Sequence, residues 1–170
     1  MAWSNVLVPY DFSDCSQRAL RTAMQLVHGG DAVVHVVHVA QVPANLRRED
    51  RLPPDHASGA TTVGDYLAAE TLRALEESIA PQRSAGTPKI TLRVLFGDAV
   101  VELRKLSQDP SFDAVVMGTH GRTGLAHLIL GSVAESLVRT SPIPVVTLRG
   151  TCAAPESHPG LARLEDELAG

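Results

Sequence analysis

DAVVMGTHGRTGLAHLILGS, residues 113–132, decides how the rest of the chain is read. Residues 113–117 form a short valine-bearing run that is apolar on both faces, as in a strand covered by helices on each side. Glycines follow at 118, 121, 124 and 131, where an apolar segment suggests a helix over 126–139. A strand that runs at once into glycine and then into a helix is the start of a βαβ-type crossover.

Working outward, runs of the same kind recur. Residues 5–8 (NVLV), 32–39 (AVVHVVHV), 90–95 (ITLRVL) and 144–148 (PVVTL) read as further strands. Residues 32–39 are again apolar on both faces. Between the strands lie helical patterns over 13–27, 63–79 and 99–108, with apolar residues three and four apart. In the first of these the stripe is Ala19, Leu20, Ala23, Met24 and Val27, with Ser13 as N-cap and Gly29–Gly30 as the stop. In the second it is Tyr66, Leu67, Leu72, Leu75 and Ile79, ended by Pro81. The order βαβαβαβαβ predicts an α/β fold: one three-layer αβα domain over 1–150 around a five-stranded parallel sheet of order 3-2-1-4-5. Two irregular segments remain. Residues 43–62 are polar and proline-bearing and are expected to form a long loop insertion, partly disordered. Residues 151–170 are expected to be a flexible tail, with Leu161, Leu164 and Leu168 able to line one face of a short helix.

In such a sheet ligands bind beyond the carboxyl ends of the strands, where the winding reverses, here between the first and fourth strands. The chemistry-bearing residues fall at those two places. After the first strand come Pro9, Tyr10 and Asp11, then Phe12 and Ser13. The Asp11 carboxylate can accept hydrogen bonds from ligand hydroxyls or an adenine edge, or it can serve the following helix as a cap. After the fourth strand comes Gly118-Thr119-His120-Gly121, and later Gly131-Ser132. Glycines let the backbone approach a ligand and turn N–H groups toward phosphate oxygens, a helix N-terminus adds partial positive charge, and Ser132 and Arg122 can donate to phosphate. A turn that merely changes direction is the alternative. No G-x-x-x-x-G-K-[ST] is present, the only lysines being Lys89 and Lys105, and no G-x-G-x-x-G follows the first strand. P-loop hydrolysis and dinucleotide-dependent dehydrogenation are therefore not expected.

Composition sets outer bounds. With 44% hydrophobic and 20% charged residues and a net charge of −4, the chain is expected to be a globular protein without affinity for nucleic acid or membranes. The beginning MAWSNVLVPYD does not read as a signal peptide, and a cytoplasmic location is expected. Cys15 and Cys152, far apart, suggest no disulfide framework, with Cys15 a small buried residue. His35 and His38 should point to opposite faces of one strand, and His120 and His127 lack partnering ligands, so no protein-held metal is expected.

The spacing G-x2-G-x9-G-[ST], at Gly118, Gly121, Gly131 and Ser132, resembles the ATP-binding signature of the universal stress protein family. VPYDFS near the start, HV at 38–39, GD at 97–98 and the closing PVVTLR support the resemblance. The resemblance spans about residues 3–149. It implies an adenine-nucleotide-binding αβα domain that acts as a cytoplasmic stress-response sensor or regulator through a nucleotide-dependent dimer. Pro9, Tyr10 and Asp11 would border adenine and ribose, and Val39 would line the adenine pocket through its backbone. Met117, Gly118, His120, Gly121, Arg122, Gly131, Ser132 and Val133 would surround ribose and phosphates. ATP is the expected ligand, with Mg²⁺ carried by it, and AMP or ADP are open. A homodimer through the last strand, 144–148, is expected, because an apolar edge strand invites a second copy, and a further protein partner is open. Turnover is expected to be weak ATP hydrolysis at most. Two alternatives stay open: an interaction or chaperone-like stress protein with a vestigial pocket, and a slow ATPase or phosphoryl-transfer enzyme.

Overall fold

The computed structural model describes residues 3–28, 30–52, 59–84, 86–119 and 130–149. Its strands are β1 (Asn5–Pro9), β2 (Val33–Ala40), β3 (Lys89–Phe96), β4 (Ala114–Gly118) and β5 (Val145–Leu148). Between them run α1 (Asp14–Leu26), α2 (Val63–Ile79), α3 (Ala99–Ser107) and α4 (Ser132–Thr140), with a single 3-10 turn at Ala80–Gln82. The strands form one parallel sheet in the order β3-β2-β1-β4-β5, as expected.

The period of two along each strand builds both cores at once. Val6 and Val8 of β1, Val34 and Val36 of β2, and Ala114 and Val116 of β4 pack with Ala19, Leu20 and Ala23 of α1 and Leu75 and Ile79 of α2. Leu7, Val37, Val115 and Met117, the residues between them, pack on the opposite side with Leu103 and Leu106 of α3 and Ala134 and Leu137 of α4. This is why β4, and β1 beyond Asn5, carry no polar residue: both faces are covered. Leu7, Leu20, Leu75 and Leu137 are fully buried, each contributing about 1.5–3 kcal/mol of transfer free energy.

The helix ends follow the chain chemistry. Ser13, Thr62 and Asp98 are the N-caps of α1, α2 and α3, each accepting a backbone N–H with its side-chain oxygen. Pro81 falls in the 3-10 turn that follows α2. Leu72, expected on the apolar stripe of α2, is instead exposed, and Thr71 and Ala74 take buried positions. The last helix is interrupted relative to the expected 126–139: α4 begins at Ser132, because Gly131 is its N-cap and has an extended ψ of 150°, while residues 126–129 lie outside the described residues.

Where it is described, the polar insertion is a loop held by specific contacts. Leu46 and Leu52 join Val63, Tyr66 and Leu67 of α2 and Phe96 of β3 in a small separate cluster. Leu52 donates its N–H to Thr61 O at 3.1 Å, and Val63 to Asp50 O at 2.9 Å. The Arg48 guanidinium lies 4.7 Å from the Phe96 ring centroid, a cation–π arrangement at the carboxyl end of β3. Residues 53–58 and 150–170 lie outside the described residues.

Candidate functional site

The site lies where β1 and β4 part. The β1–β2 ladder runs the full length of β1, from Asn5↔Val33 to Pro9↔Val37. The β1–β4 ladder consists of Val6↔Ala114 and Leu7↔Val115, and ends there although both strands continue. Beyond Leu7 and Val115 the two strands are no longer paired. In a sheet of this order that is the switch point, where a ligand crevice is expected between the segments that follow Pro9 and Gly118.

On the β4 side, Thr119 closes the strand by donating its N–H to Leu148 O of β5 at 3.0 Å. Its own carbonyl accepts the N–H of Gly131 at 2.8 Å. That one bond brings Gly118-Thr119 and Gly131-Ser132, twelve positions apart along the chain, into contact, and it sets the N-terminus of α4 beside the end of β4. Gly131 supplies no side-chain cap, so among the described residues no side chain caps the first N–H groups of α4. Ser132 is exposed at the first helical position, and Val133 is half-buried against the α3/α4 core. The backbone dipole and free N–H groups suit an anion there. Met117, the fourth-strand residue expected at the ligand, is buried with its side chain in the α3/α4 core, so only its backbone can face the crevice. His120, Gly121 and Arg122, the rest of the predicted loop, lie outside the described residues.

On the β1 side, Pro9 is buried and Tyr10 continues the ladder by donating its N–H to Val37 O at 2.8 Å. The Tyr10 ring does not line the crevice. It lies on the Val6–Val8 face, buried in the α1/α2 core, with its hydroxyl 2.7 Å from Ser78 Oγ of α2, and burial of the phenol raises its pKa. Asp11 is half-buried just past the strand. Its Oδ1 accepts the Ser13 hydroxyl at 2.6 Å and the Ser13 N–H at 3.1 Å, while Ser13 Oγ accepts the Ser16 N–H at 3.2 Å. Asp11 thus braces the cap of α1 through one oxygen, and Oδ2 has no partner among the described residues. Val39 sits half-buried near the end of β2, paired with Leu95.

Sequence reasoning missed two residues here. Phe12 has φ = 67°, the only positive φ outside glycine among the described residues. A bulky residue there costs about 1–2 kcal/mol. Its ring packs edge-on to Tyr10 at 5.5 Å and tilted on His38 at 5.0 Å, and such pairs are worth about 0.5–1.5 kcal/mol each, enough to offset the strain. His38 is buried, with Nδ1 2.7 Å from Tyr10 O. A carbonyl can only accept, so that nitrogen carries the proton. No sequence signal marks a left-handed phenylalanine. The placement of His38 was half legible, since its strand period sets it opposite His35. His35 lies on the other face, between Asn5 Oδ1 at 3.3 Å and Thr91 Oγ1 at 2.9 Å, and burial and Lys89 lower its pKa.

Cys15, in the first turn of α1, is buried as expected, but it is disulfide-bonded. That corrects the expectation of no disulfide; the chain's other cysteine, Cys152, lies outside the described residues. Among the described residues no helix is long and apolar enough to cross a membrane.

Comparison with known proteins agrees with this architecture. The universal stress protein MJ0531 of Methanocaldococcus jannaschii is 29% identical over 147 residues, covering 86% of this chain and 82% of its own. The solved structure of MJ0577 from the same organism superposes with a TM-score of 0.66 at 23% identity, over 88% of this chain and 98% of that one. A universal stress protein solved in complex with cAMP has a TM-score of 0.55 at 25% identity, over 88% and 98% of the two chains. The sequence profile of the Universal stress protein family matches residues 2–149, and the chain belongs to that family.

Proposed function

We propose that this chain binds an adenine nucleotide, with ATP as the leading ligand, in the crevice between β1 and β4, and that occupancy regulates a dimer in a cytoplasmic stress response. One observation carries the reading: the Gly131 N–H to Thr119 O bond of 2.8 Å joins two glycine segments at an α4 N-terminus that lacks a side-chain cap. Such an end, at the switch point of a parallel sheet, suits an anion and supports this reading. The family and the related structure with cAMP support adenine nucleotides as the class. In this reading the phosphates rest on Gly118, Gly131 and Ser132, with Gly121 and Arg122 completing the loop. Asp11 Oδ2 takes a ribose hydroxyl or the adenine edge, and Val39 lines the adenine. Mg²⁺ enters with the nucleotide, and AMP or ADP compete for the same place. The site serves occupancy rather than fast turnover.

The dimer rests on β5. It is an edge of the sheet, and its residues Val145–Leu148 are half-buried within one chain. A second copy would cover that edge. Native mass spectrometry of the chain purified without added ligand, then titrated with ATP, ADP and AMP, tests both parts. A dimer with one adenine nucleotide per chain is expected. A nucleotide-free chain that stays free in excess ATP and Mg²⁺ overturns the binding reading, and a monomer at tens of micromolar overturns the dimer.

A further inference from the structure

The turn between β1 and α1 is built around a strained residue that makes none of the proposed ligand contacts itself. The chain leaves β1 with Tyr10 still held on Val37 and must enter α1 at Asp14. It reverses at Phe12, whose φ of 67° belongs to glycine, asparagine or aspartate far more than to phenylalanine. Three contacts hold that conformation. The Phe12 ring lies edge-on to Tyr10 at 5.5 Å and 79° and against His38 at 5.0 Å and 58°. His38 Nδ1–H donates to Tyr10 O at 2.7 Å, locking the peptide that precedes Asp11. Tyr10 is in turn fixed through its hydroxyl on Ser78. The outcome of the turn is at its neighbour. Ser13 is brought back so that both its N–H and its hydroxyl bind Asp11 Oδ1, at 3.1 and 2.6 Å, which fixes the carboxylate and leaves Oδ2 for a ligand.

We propose that Phe12 is a positioning residue: its left-handed backbone, clamped between the Tyr10 and His38 rings, presents the Asp11 carboxylate to the nucleotide's hydroxyl or adenine edge. This rests on the nucleotide reading given above. Strained backbone held by its surroundings at the mouth of a site is the arrangement expected of a preorganised contact. Phe12 acts through Asp11 and not by touching the ligand.

The experiment separates backbone from ring and positioning from general packing. Phe12→Val disfavours the left-handed conformation, and Phe12→Gly permits it without a ring. AMP titration of the full chain is expected to show about a tenfold weaker affinity for Phe12→Val and near-normal affinity for Phe12→Gly. In an Asp11→Ala background, Phe12→Val is expected to cause no further loss. Additive losses, or equal losses in Phe12→Val and Phe12→Gly, overturn the proposal. A readout on the ligand-free chain keeps the two claims apart. The Ser13 amide should exchange with solvent about tenfold faster in Phe12→Val and near the wild-type rate in Phe12→Gly. Unchanged Ser13 exchange in Phe12→Val overturns the positioning role even where AMP binds. Absence of AMP, ADP and ATP binding by the wild type overturns the nucleotide reading, whatever the exchange shows.

Discussion

Two helix N-termini follow the two strands that part at the crevice, and they are finished in opposite ways. At α1 the orphan N–H groups are covered by the chain itself: Ser13 caps, and Asp11 braces Ser13. At α4 the N-cap is Gly131, which has no side chain to fold over the helix start and whose backbone N–H is held on Thr119. The first end presents a fixed carboxylate and the second presents donors. A nucleotide has hydroxyl and amine donors at one end and phosphate acceptors at the other, so the difference between the ends gives the crevice a polarity. Helix dipoles alone would not, since both N-termini carry the same partial charge. The caps decide.

The largest effect should come from closing the open end. Gly131→Val keeps a φ of −57° and ψ of 150° that any residue adopts, so the fold should stand. The branched side chain would crowd the phosphate donors, and ATP affinity should fall about 100-fold, measured by calorimetry. Retained affinity would put the phosphates elsewhere. Next in size, Asp11→Asn replaces the braced carboxylate by an amide and should weaken AMP about tenfold. An equal loss of inorganic triphosphate binding would show that the two ends are not chemically distinct.

Ser13→Ala removes the cap of α1 and should cost about 1 kcal/mol of stability in denaturant unfolding. It should also weaken AMP through the unbraced Asp11, while inorganic triphosphate binding stays near wild type. The smallest effect is the reciprocal exchange. Gly131→Ser gives α4 the cap it lacks and should stabilise the chain by a few tenths of a kcal/mol while weakening ATP about threefold. A gain in both stability and affinity would contradict the idea that the open cap serves the ligand.

Much of this was written in the residue pattern. Two-sided apolar runs at 32–39 and 113–117 read as interior strands, and the polar signals fall after the first and fourth of five. The failures have physical reasons. The break at Gly131 in the last helix was missed because apolar spacing continues through Leu128 and Leu130, while the Gly131 N–H is spent on Thr119 rather than on a preceding turn. The insertion looked featureless because Leu46 and Leu52 find their apolar partners on α2 and β3, beyond the reach of any local period. The expectation that Tyr10 borders the ligand rests on its backbone alone, because the strand period sets its ring with Val6 and Val8, in the opposite sense to Leu7. Its turn into the core was therefore available from sequence. The left-handed Phe12 was not, since it depends on rings brought together only by the sheet.

The most direct test of an anion site at the uncapped α4 is calorimetric titration of the full wild-type chain with ATP and Mg²⁺, beside Gly131→Val. Saturable binding of one nucleotide per chain, abolished or weakened about 100-fold in the variant with unfolding unchanged, is the predicted result. Saturable binding that is the same in both chains, or none in the wild type, would contradict it.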